Sequence, residues 1–573
     1  MAKVIVIGGG VAGLSAAHEL ARRGGFEVVV YEQRAVAGGK ARSMDAIAGT
    51  GGRRALPGEH GFRFFPGFYR HLPDTMARIP YARHPHGVFD NLVTATQIQV
   101  AREGRQSELV APARFPDSPG DWQAILGFAL ELATNVGIEP EEQVAFVGVL
   151  SDLLSACEER RFGQYEQLSW WEFCGAEGRS PAYQKFLADG LTRSLVAARA
   201  KEMSARTGGA ILLQLLQDLS TPGGQADRVL NGPTSDVWID PWVAELTALG
   251  VDLRFGHPVE AIASRGPHVT AVSGHAVEDA GNPGAAFEDR ADYYVAAVPV
   301  EVLRERIAID ELKRQCPALA SLDALQVRWM NGIMYYLTRD VPLVHGHSIY
   351  IDSPWALTSI SQRQFWTHFN PHDMGDGTVG GILSVDISDW ETEGAHTARG
   401  KIARRCTKEE IAGEVWDQLK AALNDETEVL ADANRAAWFL DPDIVAPNPT
   451  EATNLEPLLV NTKGSWPHRP TAELPEVDNL FLASDYVQTH TDLATMEAAN
   501  EAARRAVNAI IEASGSDAEP CAVYKLREAG GVPFALAREV DRFLYKALGS
   551  RHRPPPTVAL RDGELKVNPI SRL

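Results

Sequence analysis

Apolar residues fall along this chain in two rhythms. Val4, Ile5, Val6 and Ile7 form an unbroken β-branched run, the pattern of a strand buried on both faces of a parallel sheet. It leads into Gly8-Gly9-Gly10-Val11-Ala12-Gly13 and then into helical spacing through about Arg23. A second apolar run, Val28 to Tyr31, ends at Glu32. Near the other end, residues 479–485 read as a strand closing on Asp485, and an alanine-rich helix is predicted from Leu493 to about Ile511. Between these ends, three- and four-residue spacing predicts helices over 121–135, 140–160 and 201–218. Residues 332–337 and 379–385 read as strands, and 408–423 as a helix.

The first of these units has the residues that a dinucleotide requires. Gly8 permits a tight turn, Gly10 lets backbone amides approach a pyrophosphate, and Gly13 lets helix and strand pack closely. The helix N-terminus beginning at Val11 and Ala12 offers unpaired donors to the phosphates. Glu32, 19 residues after Gly13, is placed to accept from ribose hydroxyls; its charge repels a 2′-phosphate and disfavours NADP. Gly38-Gly39-Lys40-Ala41-Arg42 follows, where Lys40 and Arg42 can offset pyrophosphate charge. The segment from Glu59 to Tyr69 carries four phenylalanines and a tyrosine around glycines, too aromatic for a solvated loop. The strand-loop-helix at 479–511 aims a second helix N-terminus at a polar ring edge or a phosphate. With such elements at both ends, the binding domain is expected to be discontinuous and the substrate domain inserted within it.

Composition removes other classes. The chain has 573 residues, 45% hydrophobic and 23% charged, so it is globular and larger than one core. Its net charge of −20 argues against a nucleic-acid-binding surface. Five cysteines lie far apart with no C-x-x-C pair, which fits a reducing compartment and neither a disulfide framework nor a zinc site. The histidines form no H-E-x-x-H motif, and no metal is expected. No signal-peptide pattern precedes the first strand, and no apolar stretch reaches the roughly 18 residues of a membrane span. The expectation is a cytoplasmic protein, with peripheral contact on the inner face of a membrane left open.

Taken together, these motifs resemble the flavin amine oxidase superfamily, and within it the phytoene and ζ-carotene desaturase branch, over roughly residues 3 to 512. The Glu-x-Gly-aliphatic-His-x-Phe-Phe-x-x-Tyr motif of that branch falls on Glu59, Gly61, Phe65 and Tyr69, with departures at Phe62, Arg63 and Pro66. The C-terminal flavin motif appears as Ala483-Ser484-Asp485-Tyr486 and Ala494-Thr495-Met496-Glu497-Ala498-Ala499. Ser484 and Ala498 stand where the family has glycine.

The resemblance implies an α/β fold of two domains: a discontinuous Rossmann-type FAD domain (1–90, 225–300 and 461–514) and an inserted mixed sheet and helical substrate domain (91–224 and 301–460). It implies FAD as cofactor. The FAD-contacting residues would be Gly8, Gly10, Val11, Ala12, Gly13, Glu32, Gln33, Gly39, Lys40, Gly61, Phe62, Arg63, Val259, Asp485, Thr495 and Met496. Glu32 would hold the adenosine ribose and Val259 the adenine, while the Thr495 and Met496 amides would meet the pyrimidine edge of the flavin. Arg63, in a segment that passes near the ring in this family, and His490, in the loop between the C-terminal flavin elements, are the candidate catalytic residues.

The expected function is oxidation of a small apolar isoprenoid or polyene substrate by hydride transfer to flavin, as a desaturase or dehydrogenase, with double-bond isomerisation at the same site also open. A quinone or oxygen would accept the electrons. No lysine falls in the predicted substrate-domain strands, which argues against the alternative, an oxidase of amines or other polar metabolites. Residues 515–573 fall outside the resemblance and carry a charge of +3 against −23 for the remainder. Within them an amphipathic helix over 534–548 sets Leu536, Val540, Phe543 and Leu544 on one face. Such a helix either docks onto the body or lies at a membrane surface.

Overall fold

The computed structural model describes residues 1–104, 109–111, 137–190, 198–220, 227–277, 283–445, 450–528, 532–561 and 564–568. The helix predicted over 121–135 lies outside them. The β-branched run forms β1 (Ala2–Ile7), followed by helix α1 (Val11–Arg23) and β2 (Phe26–Glu32). These strands pair in parallel from Ala2 with Phe26 to Ile7 with Tyr31. Three distant segments complete the five-stranded parallel sheet, whose spatial order is Asp252–Phe255, β2, β1, Tyr293–Ala296, Leu480–Leu482. Val4, Ile5 and Val6 are fully buried between its two covered faces, which is why the run carries no alternation.

A seven-stranded sheet forms the second layer. It contains β3 (Asn331–Leu337), β4 (Gly346–Tyr350), β5 (Leu357–Ser361) and β6 (Gly381–Ile387), in the order Arg435–Leu440, β3, β6, β5, β4, Gln97–Ala101, Leu109–Ala111. One face is apolar and packs on α2 (Lys408–Leu423): Ile333, Tyr335, Leu383 and Val385 meet Val415, Trp416 and Leu419. A capping box between Thr407 and Glu410 starts α2, the helix bounds that the apolar spacing predicts. The other face turns toward the dinucleotide sheet.

Three predicted elements differ from those observed. The helix over 140–160 breaks into Pro140–Ser155 and Glu158–Gly163. The break comes at Cys157, whose amide donates to the buried Asp541 carboxylate (2.9 Å). The helix predicted from 201 starts at Ala205, because Met203 and Ser204 are drawn into bridges with Thr462 and Ser169. The strand predicted over 379–385 is displaced two residues, to Gly381–Ile387.

The charged tail folds back as α4 (Val532–Leu548), which packs on the Pro140–Ser155 and Glu158–Gly163 helices. Asp541 and Arg160, both fully buried, join them at 2.8 Å. Phe543 remains 73% exposed on the outer side. No helix among the described residues is long and apolar enough to cross a membrane.

Candidate functional site

A cavity of about 410 Å³ opens between the two sheets, walled by residues from Ile7 to Ala499. At its dinucleotide end, the turn after β1 is shaped by glycines. Gly8 has φ +105°, and a Cβ there would stand 2.7 Å from the Ala297 carbonyl oxygen; one on Gly13 would stand 1.8 Å from the Gly8 oxygen. The amides of the first turn of α1, a 13-residue helix, therefore face the cavity without side chains in front of them. Gly38 donates to the Gly9 oxygen (2.8 Å), and a Cβ on Gly39 would come 3.1 Å from the Gly10 Cα. The Gly39–Lys40 turn thus lies across the phosphate loop.

Glu32 is buried at the end of β2 and accepts from the amides of Gly9 (2.7 Å) and Arg34 (2.8 Å), one on each oxygen. Burial pushes its carboxyl up, and the two amides oppose this. Each oxygen keeps a second lone pair, enough for a pair of ribose hydroxyls. Gln33 and Val259 line the cavity beside it.

At the other end, helix α3 (Met496–Ser514) starts with Thr495 as its cap, the hydroxyl accepting from the Ala498 amide (3.2 Å). Its N-terminal amides, Thr495 and Met496, line the cavity, as does Asp485. The loop between is held by Arg469, which donates to the carbonyl oxygens of Asp485 (2.6 Å), Tyr486 (3.0 Å) and Val487 (2.9 Å) and pairs with Asp492. Burial pulls this guanidinium downward, against the opposing pull of Asp492. Nothing in the local sequence around Arg469 marks it for this role.

The aromatic segment crosses the middle. Glu59 anchors it, accepting from the Thr234 amide (2.8 Å), the Thr234 hydroxyl (2.6 Å) and the Ser43 hydroxyl (2.9 Å). Gly61 then passes so close to β6 that a Cβ would lie 2.6 Å from Asp386 Oδ1, and a Cβ on Gly332 of β3 would lie 2.6 Å from the Gly61 Cα. Phe62 and Arg63 line the cavity at this crossing. Arg63 donates to the Lys40 oxygen, stands 3.9 Å from Glu59, and has no hydrogen-bond partner on Nε among the described residues. Burial pulls its guanidinium downward.

Several expectations change here. His490 is not among the residues lining the cavity, and its amide donates to Glu501 (2.7 Å). Gly13 lies behind the wall and packs helix on strand. Arg42 is not free for phosphate, since it is buried against Asp443 (2.7 Å) and Glu456 (3.1 Å). Lys40 reaches the Pro457 oxygen and lies 3.5 Å from Glu301. His60, Asp441 and Asp443 bring possible ligand atoms within 4.8 Å of one another. These carboxylates are already matched: His60 Nδ1 lies 2.6 Å from Asp441, and Arg34 and Arg42 bracket Asp443 and Glu456. Burial would raise the Glu456 carboxyl, yet His60, Arg42 and Arg34 hold it well below the usual range. The cluster is an ion-pair network beneath the Gly39–Arg42 turn, in which His60 Nε2 has no hydrogen-bond partner among the described residues.

A glycine turn feeding a helix N-terminus, an acidic end to the second strand and a second helix N-terminus returning from the C-terminal end define a dinucleotide-binding flavoprotein, and the donors and acceptors fit FAD. The chain belongs to the flavin containing amine oxidoreductase family, whose profile matches residues 11–511, and its cofactor is FAD. It is 29% identical over 289 residues to the hydroxysqualene dehydroxylase of Rhodopseudomonas palustris, covering 48% of this chain and 57% of that protein. It is 24% identical over 296 residues to the carotenoid phi-ring synthase of Chlorobaculum tepidum, covering 47% of this chain and 39% of that one. The matches therefore span less than two thirds of either relative. Among solved structures, putrescine oxidase with bound putrescine superposes over 89% of this chain and 99% of its own, with a TM-score of 0.56 at 13% identity. A putative protoporphyrinogen oxidase from Exiguobacterium sp. 255-15 covers 89% and 98%, with a TM-score of 0.54 at 16% identity. At these identities the likeness is one of fold.

Proposed function

We propose that the protein is an FAD-dependent oxidoreductase acting on an apolar isoprenoid or polyene substrate. The observation that carries this reading is the substrate-side wall of the cavity, where Phe62, Phe64, Met203, Ile211, Val460 and Leu493 stand beside the flavin-binding residues. Such a wall positions a hydrocarbon by shape and excludes water. The two curated relatives support it, since both are named for isoprenoid-type molecules. An ammonium group would need a reliably ionised carboxylate. The substrate-side carboxyl, Asp386, is pushed up by burial to about 7 and is a poor partner for one.

Bound FAD supplies hydride acceptance at its ring. The chain's own residues do the rest. Glu32 holds the ribose, and the first turn of α1 holds the pyrophosphate. The capped N-terminus of α3 sets its amides against the ring edge where reduction builds negative charge. Arg63, buried with no partner on Nε among the described residues, adds a positive charge to the same wall, where it would offset negative charge on a bound ring. A net oxidation would call for an external acceptor such as a quinone or oxygen; an isomerisation would call for none. The exposed Leu536 and Phe543 of α4 support peripheral contact with a membrane as the source of the substrate.

The test is anaerobic titration of the FAD-loaded protein with a polyene, a saturated isoprenoid and a set of amines, following flavin absorbance. Bleaching by an isoprenoid or polyene alone is the expected result. Bleaching by an amine and by no isoprenoid would overturn the reading.

A further inference from the structure

The substrate-side wall is not uniformly apolar. Three neighbouring strands of the seven-stranded sheet each contribute one polar residue to it: His347 from β4, Thr358 from β5 and Asp386 from β6. Thr358 and Asp386 are direct cross-strand partners, and Ile349, two residues after His347, pairs with Thr358. Side chains at a two-residue interval share a face, as do paired residues, so all three project from one side of the sheet. The register that places Tyr335, Leu383 and Val385 against α2 places these three on the opposite side, toward the cavity.

Their burial is deep and their hydrogen bonding incomplete. His347 is 6% exposed, Thr358 1% and Asp386 6%. Among the described residues, His347 Nε2, Thr358 Oγ1 and Asp386 Oδ1 have no hydrogen-bond partner. The His347 ring is wedged between Phe62 (ring centroids 5.3 Å apart) and Phe64 (5.1 Å). The Phe62 amide reaches the Asp386 carboxyl, but Gly61 presents only its Cα to Oδ1, which stays without a partner among the described residues. Buried polar atoms are nearly always paired, and an exception calls for a missing partner. Six of the described residues in the cavity wall carry such exceptions, His60, Arg63, His347, Thr358, Asp386 and Asn461, and three of these share one face of adjacent strands, two on directly paired residues.

We propose that His347, Thr358 and Asp386 form a subsite for a single hydroxyl group on an otherwise apolar substrate, so that the cavity takes isoprenoid alcohols in preference to pure hydrocarbons. This rests on the reading of the cavity as an isoprenoid site. The chemistry of the three residues suits a hydroxyl, which donates one hydrogen and accepts others. Burial holds the His347 ring neutral, pulling it down to about 4, so Nε2 can donate or accept according to its tautomer. The Thr358 hydroxyl rotates to do either. The Asp386 carboxyl accepts when ionised and donates when protonated. An uncharged group satisfies all three without bringing a second charge into a low-dielectric wall.

The experiment compares geranylgeraniol with the matched hydrocarbon lacking the hydroxyl, each in the same detergent micelles, on the FAD-loaded wild-type protein. Binding is read from the perturbation of the flavin absorbance spectrum, with no turnover required. The alcohol is expected to bind about tenfold more tightly, the scale of one hydrogen bond to a group that can ionise. Asp386→Asn and Thr358→Val should each cut that ratio of alcohol to hydrocarbon affinity toward twofold. Equal binding of the two ligands by the wild-type protein would overturn the subsite and leave the isoprenoid reading standing. Perturbation of the flavin by neither ligand would overturn the isoprenoid reading, and the subsite with it.

Discussion

The energetics of the site turn on single buried groups, and Asp386 is the clearest of them. Burial raises its carboxyl to about 7, against the opposing effect of Arg63, His60 and the Phe62 amide, while Asp441 adds to the rise. In the unfolded chain the same group titrates near 3.8. Between these values the folded protein holds a proton that the unfolded chain has released, so the stability contributed by the neutral carboxyl falls as pH rises from about 4 to 7. Above 7 the full cost of the buried charge is present. An amide of the same shape carries no such charge. The Asp386→Asn variant should therefore gain stability relative to the wild type as pH is raised from 4.5 to 8, by on the order of 3 kcal/mol across the window. Paired thermal melts across that range measure it; a difference independent of pH would show that Asp386 is ionised throughout. Glu32 is shifted in the same direction by burial, with two backbone amides opposing the rise. The Gly9 and Arg34 amides each donate a hydrogen bond to it, whereas Asp386 receives one from the Phe62 amide.

At the scale of elements, legibility in the sequence follows the range of the interaction that fixes each one. The βαβ unit depends on contacts within 32 residues, and its glycines, strand and terminal acid were all readable in place. Helix α2 was readable at both ends because a capping box and an apolar stripe agree on them. The polar face of the second sheet was not. Asp386 lies one residue beyond the strand as periodicity draws it, and its pairing with Thr358, 28 residues earlier, follows from sheet register that no local pattern reveals. His347 sits in a His-Gly-His run that suggests a metal by composition, whereas its cavity position comes from β4 pairing in parallel with Gln97–Ala101. Helix α4 shows the same limit. Its apolar stripe is legible, but the contact that docks it is Asp541 against Arg160, 381 residues away. Both are fully buried, so removing one partner strands the other's charge. Asp541→Ala should cost about 3–5 kcal/mol, read as a lower midpoint in denaturant melts. A loss under about 1 kcal/mol would mean that α4 is held by its apolar contacts alone.

For the whole molecule, the cavity is a joint between distant parts of the chain. Its wall draws on the glycine turn at Gly8, the aromatic segment at Phe62, the sheet at Asp386 and the helix cap at Thr495, so the two chain ends meet at the cofactor site as well as through the packing of α1 on α3. Some of this joint is built without ligand: Asn500 of α3 donates to Ser15 of α1 (2.8 Å), and Glu497 accepts from the amides of Arg70, His71 and Leu72. The remainder consists of groups that face the cavity unpaired, above all the first-turn amides of α1 and those at the start of α3. FAD satisfies both sets at once and is recognised only when both ends are in place, so it binds the folded chain and not the unfolded one. Mass action then fixes the consequence. At free FAD a hundredfold above its dissociation constant, the folded state gains about 2.7 kcal/mol. For a chain of 573 residues the midpoint of thermal unfolding should rise by about 2 °C on adding FAD to protein stripped of flavin. The loaded protein should also resist proteolysis near both chain ends, because one ligand braces both. Protection confined to the N-terminal βαβ unit would mean that the C-terminal flavin elements do not take part in holding the cofactor.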